Sequence, residues 1–380
     1  MRQVSIVGIA QAPVQKAYAQ SLRWLGATVV RRAMADAGVD QVDALFAGNM
    51  LSDELQGQKH IAALIADEAG LFGIEALQVR AATATGAAAL RMAYLAVASG
   101  EAELAVAVGV EKMSSGGATP ALAKALDAER EVPAGATLIS KNAELMRLYR
   151  RQYNVPEDGL AHFSVNAHDN ARDNPNALFK RHVSLPDVLA SRIVVDPIRL
   201  LDCSPICDGA AAVVLAPRDQ AHAYTGQPVH ILASSAATDR FRVEDRPAPL
   251  MLEAARLAAQ SAFQRANINK DDVSLFEVHD AFSIMACLLL EAVGFARPGE
   301  GWRLAAEKEI GPRGRIPIAT MGGLKARGHP IGATALYQTC EIVLQLTERA
   351  GKNQVPNARI GLLQSVGGAA STVLTHVFGR

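Results

Sequence analysis

The chain has only four cysteines in 380 residues, too few for the disulfide framework of a secreted domain. Cys203 and Cys207 stand four apart, but no second Cys/His pair lies beside them, so no metal site is read there. Neither sign of charge is in excess: Lys+Arg and Asp+Glu each number 38, which leaves no electrostatic case for nucleic acid or an anionic membrane as the main partner. No uninterrupted apolar run reaches about 18 residues, so no membrane span is read. Met1-Arg2-Gln3 leads straight into Val4-Ser5-Ile6-Val7-Gly8-Ile9, leaving no space for a charged leader and an apolar signal core, and cytoplasmic residence is the expectation. Aromatics make up only 5% of the chain, and the bias runs instead to Ala and Gly, which suit closely packed helices and tight turns.

A single core stops growing near ~250–300 residues, so two or three units are expected, and an internal duplication organises them. Residues 29–37 read as a helix stopped by Gly38 and followed by a strand over 42–46. Far downstream, residues 257–266 read as a helix stopped by Asn267, and a strand follows over 273–277. Thr83 opens a helix running through Leu95 to a strand at 104–108, while His329 precedes a helix around 335–340 that leads to a strand at 360–363. Alternating strands and helices with near-continuous apolar strands predict an α/β fold with both sheet faces covered. The repeat should bring the helix starts carrying Thr83 and His329 face to face. Between Gly116 and Asp196 the alternation lapses into polar helices such as 141–151, read as an inserted loop domain capping the active site. The expected partition is 1–115 and 197–245 for the N-terminal half, 116–196 for the insertion and 246–380 for the C-terminal half.

Three stretches carry the chemistry. Ala82-Thr83-Ala84-Thr85-Gly86 reads as a strand end turning into an Ala-rich helix, which exposes a reactive side chain at a helix start. Glu277-Val278-His279-Asp280-Ala281-Phe282 places a histidine in the loop after a strand. In Gly322-Gly323-Leu324-Lys325-Ala326-Arg327-Gly328-His329-Pro330-Ile331-Gly332, the glycines permit close backbone approach, and a mere turn would need Gly and Pro but not His. With Asp202-Cys203-Ser204-Pro205-Ile206-Cys207-Asp208-Gly209 and Gln364-Ser365-Val366-Gly367-Gly368, these stretches resemble the thiolase family of acyl-CoA acyltransferases, in its sterol-carrier-protein-type and archaeal HDAF-type branch. The resemblance runs along almost the whole chain.

That resemblance implies the thiolase fold, with duplicated βαβαβαββ halves forming an αβαβα layered core with an inserted loop domain. It implies thiolysis of 3-ketoacyl-CoA or the reverse Claisen condensation, with coenzyme A as a substrate and no covalently bound cofactor or metal. His279 would help to form the first oxyanion hole, and His329 would take the nucleophile's proton. An N–H at Gly367 would complete the second oxyanion hole. Gly322, Gly323, Arg147 and Arg150 would hold coenzyme A. A homodimer or a dimer of dimers is implied, with a small zinc-ribbon/OB-fold protein as a further partner.

The family's nucleophile is a cysteine, and here the position is Thr83. A thiol titrates near ~8.5 and lower at a helix start, whereas an alcohol stays protonated and needs its base during the attack itself. The extra methyl also restricts the side chain. The acid/base cysteines of the family's branches are replaced by Ser365 and Ala281; Cys203 and Cys207 read as a strand lead-in, and Cys287 and Cys340 as core. Three outcomes stay open: a weakened thiolase, a non-covalent retro-aldolase or decarboxylase on CoA thioesters, and a silent CoA-binding subunit.

Overall fold

Nine strands join in one hydrogen-bonded sheet in the computed structural model, which describes all 380 residues. They are β1 (Val4–Gln11), β2 (Ala44–Gly48), β3 (Glu75–Val79), β4 (Ala105–Lys112), β5 (Asp208–Pro217), β6 (Val229–Thr238), β7 (Leu275–Glu277), β8 (Ile360–Gly367) and β9 (Thr372–Gly379), in the order β3-β2-β4-β5-β1-β6-β9-β8-β7. The main helices are α1 (Leu22–Asp36), α2 (Ile61–Ala69), α3 (Thr85–Ser99), α4 (Leu138–Tyr153), α5 (His162–Ala171), α6 (Glu253–Ala266), α7 (Ser283–Val293) and α8 (Thr334–Leu346). The first five strands form one half and the last four the other, joined where β1 pairs with β6 over Val4–Ile6. Strand β6 pairs along most of its length with β9, from Thr238 to His230, so it lies with the C-terminal half although the sequence partition set it before that half began.

Helices α1 and α2 cover the outer face of the N-terminal half, and α6 covers that of the C-terminal half with α7 against it. Helices α3 and α8 fill the middle, where α8 touches β5 and β4 on one side and β8 and β7 on the other. A helix wedged between the two halves of the sheet has no solvent face, and every residue of α8 except Leu344 is buried. The result is the layered αβαβα core that the resemblance implies. Its repeat is imperfect: the C-terminal half's missing strand is reduced to one parallel bridge between Phe276 and Ile318, because Pro317 supplies no ladder N–H there.

The two middle helices meet at their starts. A Cβ added to Gly86 would lie 2.7 Å from the Gly332 carbonyl oxygen, and one on Gly109 only 2.3 Å from the same atom. Gly109→Ala is therefore expected to force β4 away from the loop leading into α8 and to destabilise the fold by about 3 kcal/mol. Denaturant unfolding of the variant checks this.

Two local expectations shift. Helix α3 begins at Thr85, so Thr83 precedes the helix instead of opening it. Strand β8 continues through Gly367, so Gln364, Ser365 and Val366 are strand residues and the turn begins at Gly368. In the region between β4 and β5, α4 starts with a reciprocal cap between Thr137 and Ser140 and packs on α7. No helix is long and apolar enough to cross a membrane.

Candidate active site

Thr83, His279 and His329 line one cavity of about 260 Å³, walled otherwise mainly by apolar groups, including Met113, Leu138, Phe282, Met285 and Ile331. The turn that presents Thr83 is strained: Ala82 adopts φ +47, a conformation a side chain disfavours. Thr85 holds it there, donating its hydroxyl to the Ala82 carbonyl at 2.7 Å and accepting the Ala81 N–H at 2.8 Å. Thr83 then points its hydroxyl at strand β8, donating to the Val366 carbonyl at 2.6 Å. Its proton is thus committed to a backbone oxygen. No hydrogen bond joins it to His329.

His329 is oriented by two contacts, one of them fixed in turn by a third residue. Its backbone N–H reaches the Cys207 sulfur at 3.2 Å, and its Nδ1 lies 2.7 Å from the Thr334 hydroxyl, which donates onward to the Pro330 carbonyl at 3.3 Å. Because that hydroxyl spends its hydrogen on Pro330, it accepts from Nδ1–H, and the lone pair is left on Nε2 in the cavity. His279 stands beside it, ring centroids 5.2 Å apart and nearly perpendicular. The His279 Nδ1 is buried without a partner, so its hydrogen is better placed on Nε2, the nitrogen left to face the cavity that His279 lines. Burial pushes His279 down to about 4 and His329 well below its ordinary value, with His279 and then Arg327 adding to the effect on His329. At neutral pH the cavity therefore presents one uncharged acceptor and one uncharged donor side by side.

Asp280 anchors the loop that carries His279. Its carboxylate accepts the Leu324 N–H at 2.7 Å and pairs with Lys325 at 3.0 Å, and Lys325 also donates to the Asp280 carbonyl at 3.1 Å. Both side chains are buried, so Lys325→Met, which strands the carboxylate, is expected to cost about 3–5 kcal/mol of stability. Chemical denaturation of the variant beside the parent measures it.

The residues assigned to coenzyme A do not line this cavity. Gly322 and Gly323 are buried beneath it: Gly322 has φ +107 and abuts Ala171, and a Cβ on Gly323 would strike both Asp280 carboxylate oxygens at 2.6 Å. Their work is to let the chain bend around Asp280. Arg147 is occupied elsewhere, donating to the Asp196 carbonyl at 2.6 Å, and Arg150 borders a separate small cavity with Met146 and Glu157. Gly367 sits between the lining residues Val366 and Gly368 and does not itself line the cavity; a Cβ there would come within 2.7 Å of the Ala81 carbonyl. Ser365 is fully buried and faces Leu374 across the ladder.

Sequence reasoning passed over two residues that bear on the site. Cys203 and Ser204 line the cavity, because Cys203 bridges to Phe282 and the Ser204 N–H reaches the Ala281 carbonyl at 2.9 Å. The motif containing them was visible, but its pairing with the His279 loop was not. Burial pushes the Cys203 and Cys207 thiols up to about 12, so neither offers a ready thiolate. Arg192, exposed, lies at the same cavity.

The family described as thiolase, N-terminal domain, matches residues 4–219, and that described as thiolase C-terminal domain-like matches residues 235–380. An acetyl-CoA acetyltransferase of Methanothermobacter thermautotrophicus is 42% identical over 383 residues, covering the whole of both chains. Sterol carrier protein 2 of Homo sapiens is 29% identical over 99% of this chain and 72% of its own. Among solved structures, one described as Ltp2-ChsH2(DUF35) aldolase superposes with a TM-score of 0.87 at 23% identity, covering 100% of this chain and 98% of its own.

Proposed function

The chain belongs to the thiolase family and has a thiolase-like function on coenzyme A thioesters, and from that premise we propose that it cleaves or forms the C2–C3 bond of the acyl group without an acyl-enzyme. The observation that carries this reading is the Thr83 hydroxyl donating to the Val366 carbonyl, while the His329 ring is held through Nδ1 by Thr334 and not by Thr83. For a 3-hydroxyacyl-CoA, His329 Nε2 takes the hydroxyl proton and the electron pair of the O–H bond forms the new C3 carbonyl. The C2–C3 bond breaks, and its electron pair moves into the thioester as an enolate. His279 N–H donates to the enolate oxygen. The proton held by His329 then returns to C2, leaving a shorter acyl-CoA and an aldehyde or ketone. Exposed Arg192 is the residue we assign to the coenzyme A phosphates.

A second reading, acyl transfer through Thr83, is favoured by the full-length relative named acetyl-CoA acetyltransferase. It requires the hydroxyl to leave Val366 and give its proton to His329 during attack. Homodimerisation and a second-protein partner belong to the proposal too; the solved aldolase bears a two-component name, Ltp2-ChsH2.

Incubating the protein with a panel of 3-hydroxyacyl-CoAs and with acetoacetyl-CoA, with and without free coenzyme A, separates the readings. Cleavage of a hydroxy substrate without free coenzyme A, and no mass added to the intact protein, is expected. Thiolysis that needs free coenzyme A and passes through an acyl adduct on Thr83 contradicts it.

The low proton affinity of the histidines sets a pH signature. The neutral base is the active form, and burial holds His329 well below its ordinary value, so kcat/KM should stay flat on acidification below about 6.5. The same burial costs stability: an unfolded histidine takes up its proton near ~6.5, so stability present above that pH is lost as pH falls toward about 4. Rate profiles taken alongside unfolding curves check both limbs.

A further inference from the structure

A buried charge stands two residues before each histidine of the cavity: Glu277 before His279 and Arg327 before His329. With Glu341 of α8 they form a fully buried set. Arg327 Nε donates to Glu341 at 3.0 Å and Nη1 to the Gly328 carbonyl at 2.9 Å, while Nη2 has no partner. Glu277 accepts the Thr320 N–H at 2.9 Å and the Thr320 hydroxyl at 2.7 Å through one oxygen, and its other oxygen has no partner. The second oxygen of Glu341 and the side-chain oxygen of Gln338 are equally unpartnered. Two carboxyls therefore depend on one guanidinium, away from solvent.

No other group supplies the missing positive charge. Lys325 is taken by Asp280, and Asp202, also within its field, is bonded to the Ser283 hydroxyl at 2.7 Å and the Arg199 N–H at 3.0 Å. His168, near Lys325, and His329 are held neutral by burial. Cys207, Cys340 and Tyr337, which face Arg327, are held protonated by burial. An uncompensated carboxylate in such an interior costs several kcal/mol, roughly what leaving one partner of a buried pair alone costs.

We propose that Glu277 and Glu341 together hold one proton at neutral pH, so that Arg327 balances the pair and no net negative charge builds up behind the two histidines of the cavity. Burial raises both carboxyls, Glu341 to about 8, against the pull of Arg327. The two glutamates are positioning residues: they touch no substrate and act through the segments that carry His279 and His329. The inference rests on burial and hydrogen bonding and does not require the reaction proposed above.

The test is the pH dependence of folding in the full chain for the parent, Glu277→Gln and Glu341→Gln. A proton bound in the folded state and released on unfolding stabilises most below about 4.5, and that stability is lost as pH rises through about 8. Between about 6.5 and about 8 the neutral histidines contribute no slope. Glu111, also raised, to about 7, is common to all three proteins and cancels in the differences. Across this window the parent's folding constant should fall by about tenfold per pH unit relative to either variant. Either substitution should remove the slope, because either leaves one carboxyl for one guanidinium. Parallel curves for all three proteins, or a slope removed by only one variant, overturn the proposal. If a variant does not fold, infrared spectroscopy of the parent decides. A protonated-carboxyl band that titrates away in a step near about 8, separate from the Glu111 step near about 7, supports it, and a band that shows only the step near about 7 overturns it.

Discussion

His329→Ala is expected to lower kcat/KM for carbon–carbon cleavage by about a thousandfold, within the range of ~10²–10⁴ that a positioned general base contributes. Steady-state kinetics, beside a thermal melt showing that the variant is folded, measures it. The size of the effect follows from the lack of a substitute. His279 is the only other imidazole in the cavity, and its hydrogen is turned into the site as a donor. The cavity's cysteine, Cys203, keeps its proton at neutral pH because burial raises it to about 12. A loss under about tenfold would mean that another group takes the proton.

The second large effect is a gain. Thr83→Cys is expected to create thiolysis of acetoacetyl-CoA, with an acyl adduct on residue 83, at least about a hundredfold above the parent's rate. Threonine donates a strong hydrogen bond to the Val366 carbonyl, whereas a thiol is a weak donor and is released from it. The substitution also removes the methyl group and supplies a group that ionises near ~8.5 instead of an alcohol. Intact-protein mass spectrometry and a thiolysis assay read the outcome. A Cys variant that neither acylates nor cleaves would mean that the turn at Ala82 does not present residue 83 to the thioester.

Much of the layered core was legible because its strands are continuous apolar runs and its helices end in residues suited to left-handed turns. Asn267 does so with φ +52, closing α6 just before β7. The meeting of the two helix starts was legible from the repeat, and Gly86 against Gly332 shows how tightly the backbones approach. The departures have local causes. Pro317 interrupts the ladder where the repeat calls for a strand, and nothing in a run such as Gln364-Ser365-Val366-Gly367 marks where strand gives way to turn.

For the site, the reactive side chains stand out by type and spacing, but their supporting partners are distant in sequence. Thr83 bonds across 283 positions to Val366, and His329 across 122 to Cys207. Arg147 and Gly323 lie outside the cavity for a related reason. A basic residue or a glycine fits both ligand binding and structure, and only the position of Asp196 or Asp280 decides between them.

The most direct measurement is kcat/KM of Thr83→Ala on the 3-hydroxyacyl-CoA that the parent cleaves best. If the hydroxyl only braces the turn against Val366, the loss should stay within about fivefold, the worth of one neutral hydrogen bond at ~1 kcal/mol. A loss as deep as that of His329→Ala would make Thr83 the nucleophile and contradict cleavage without an acyl-enzyme.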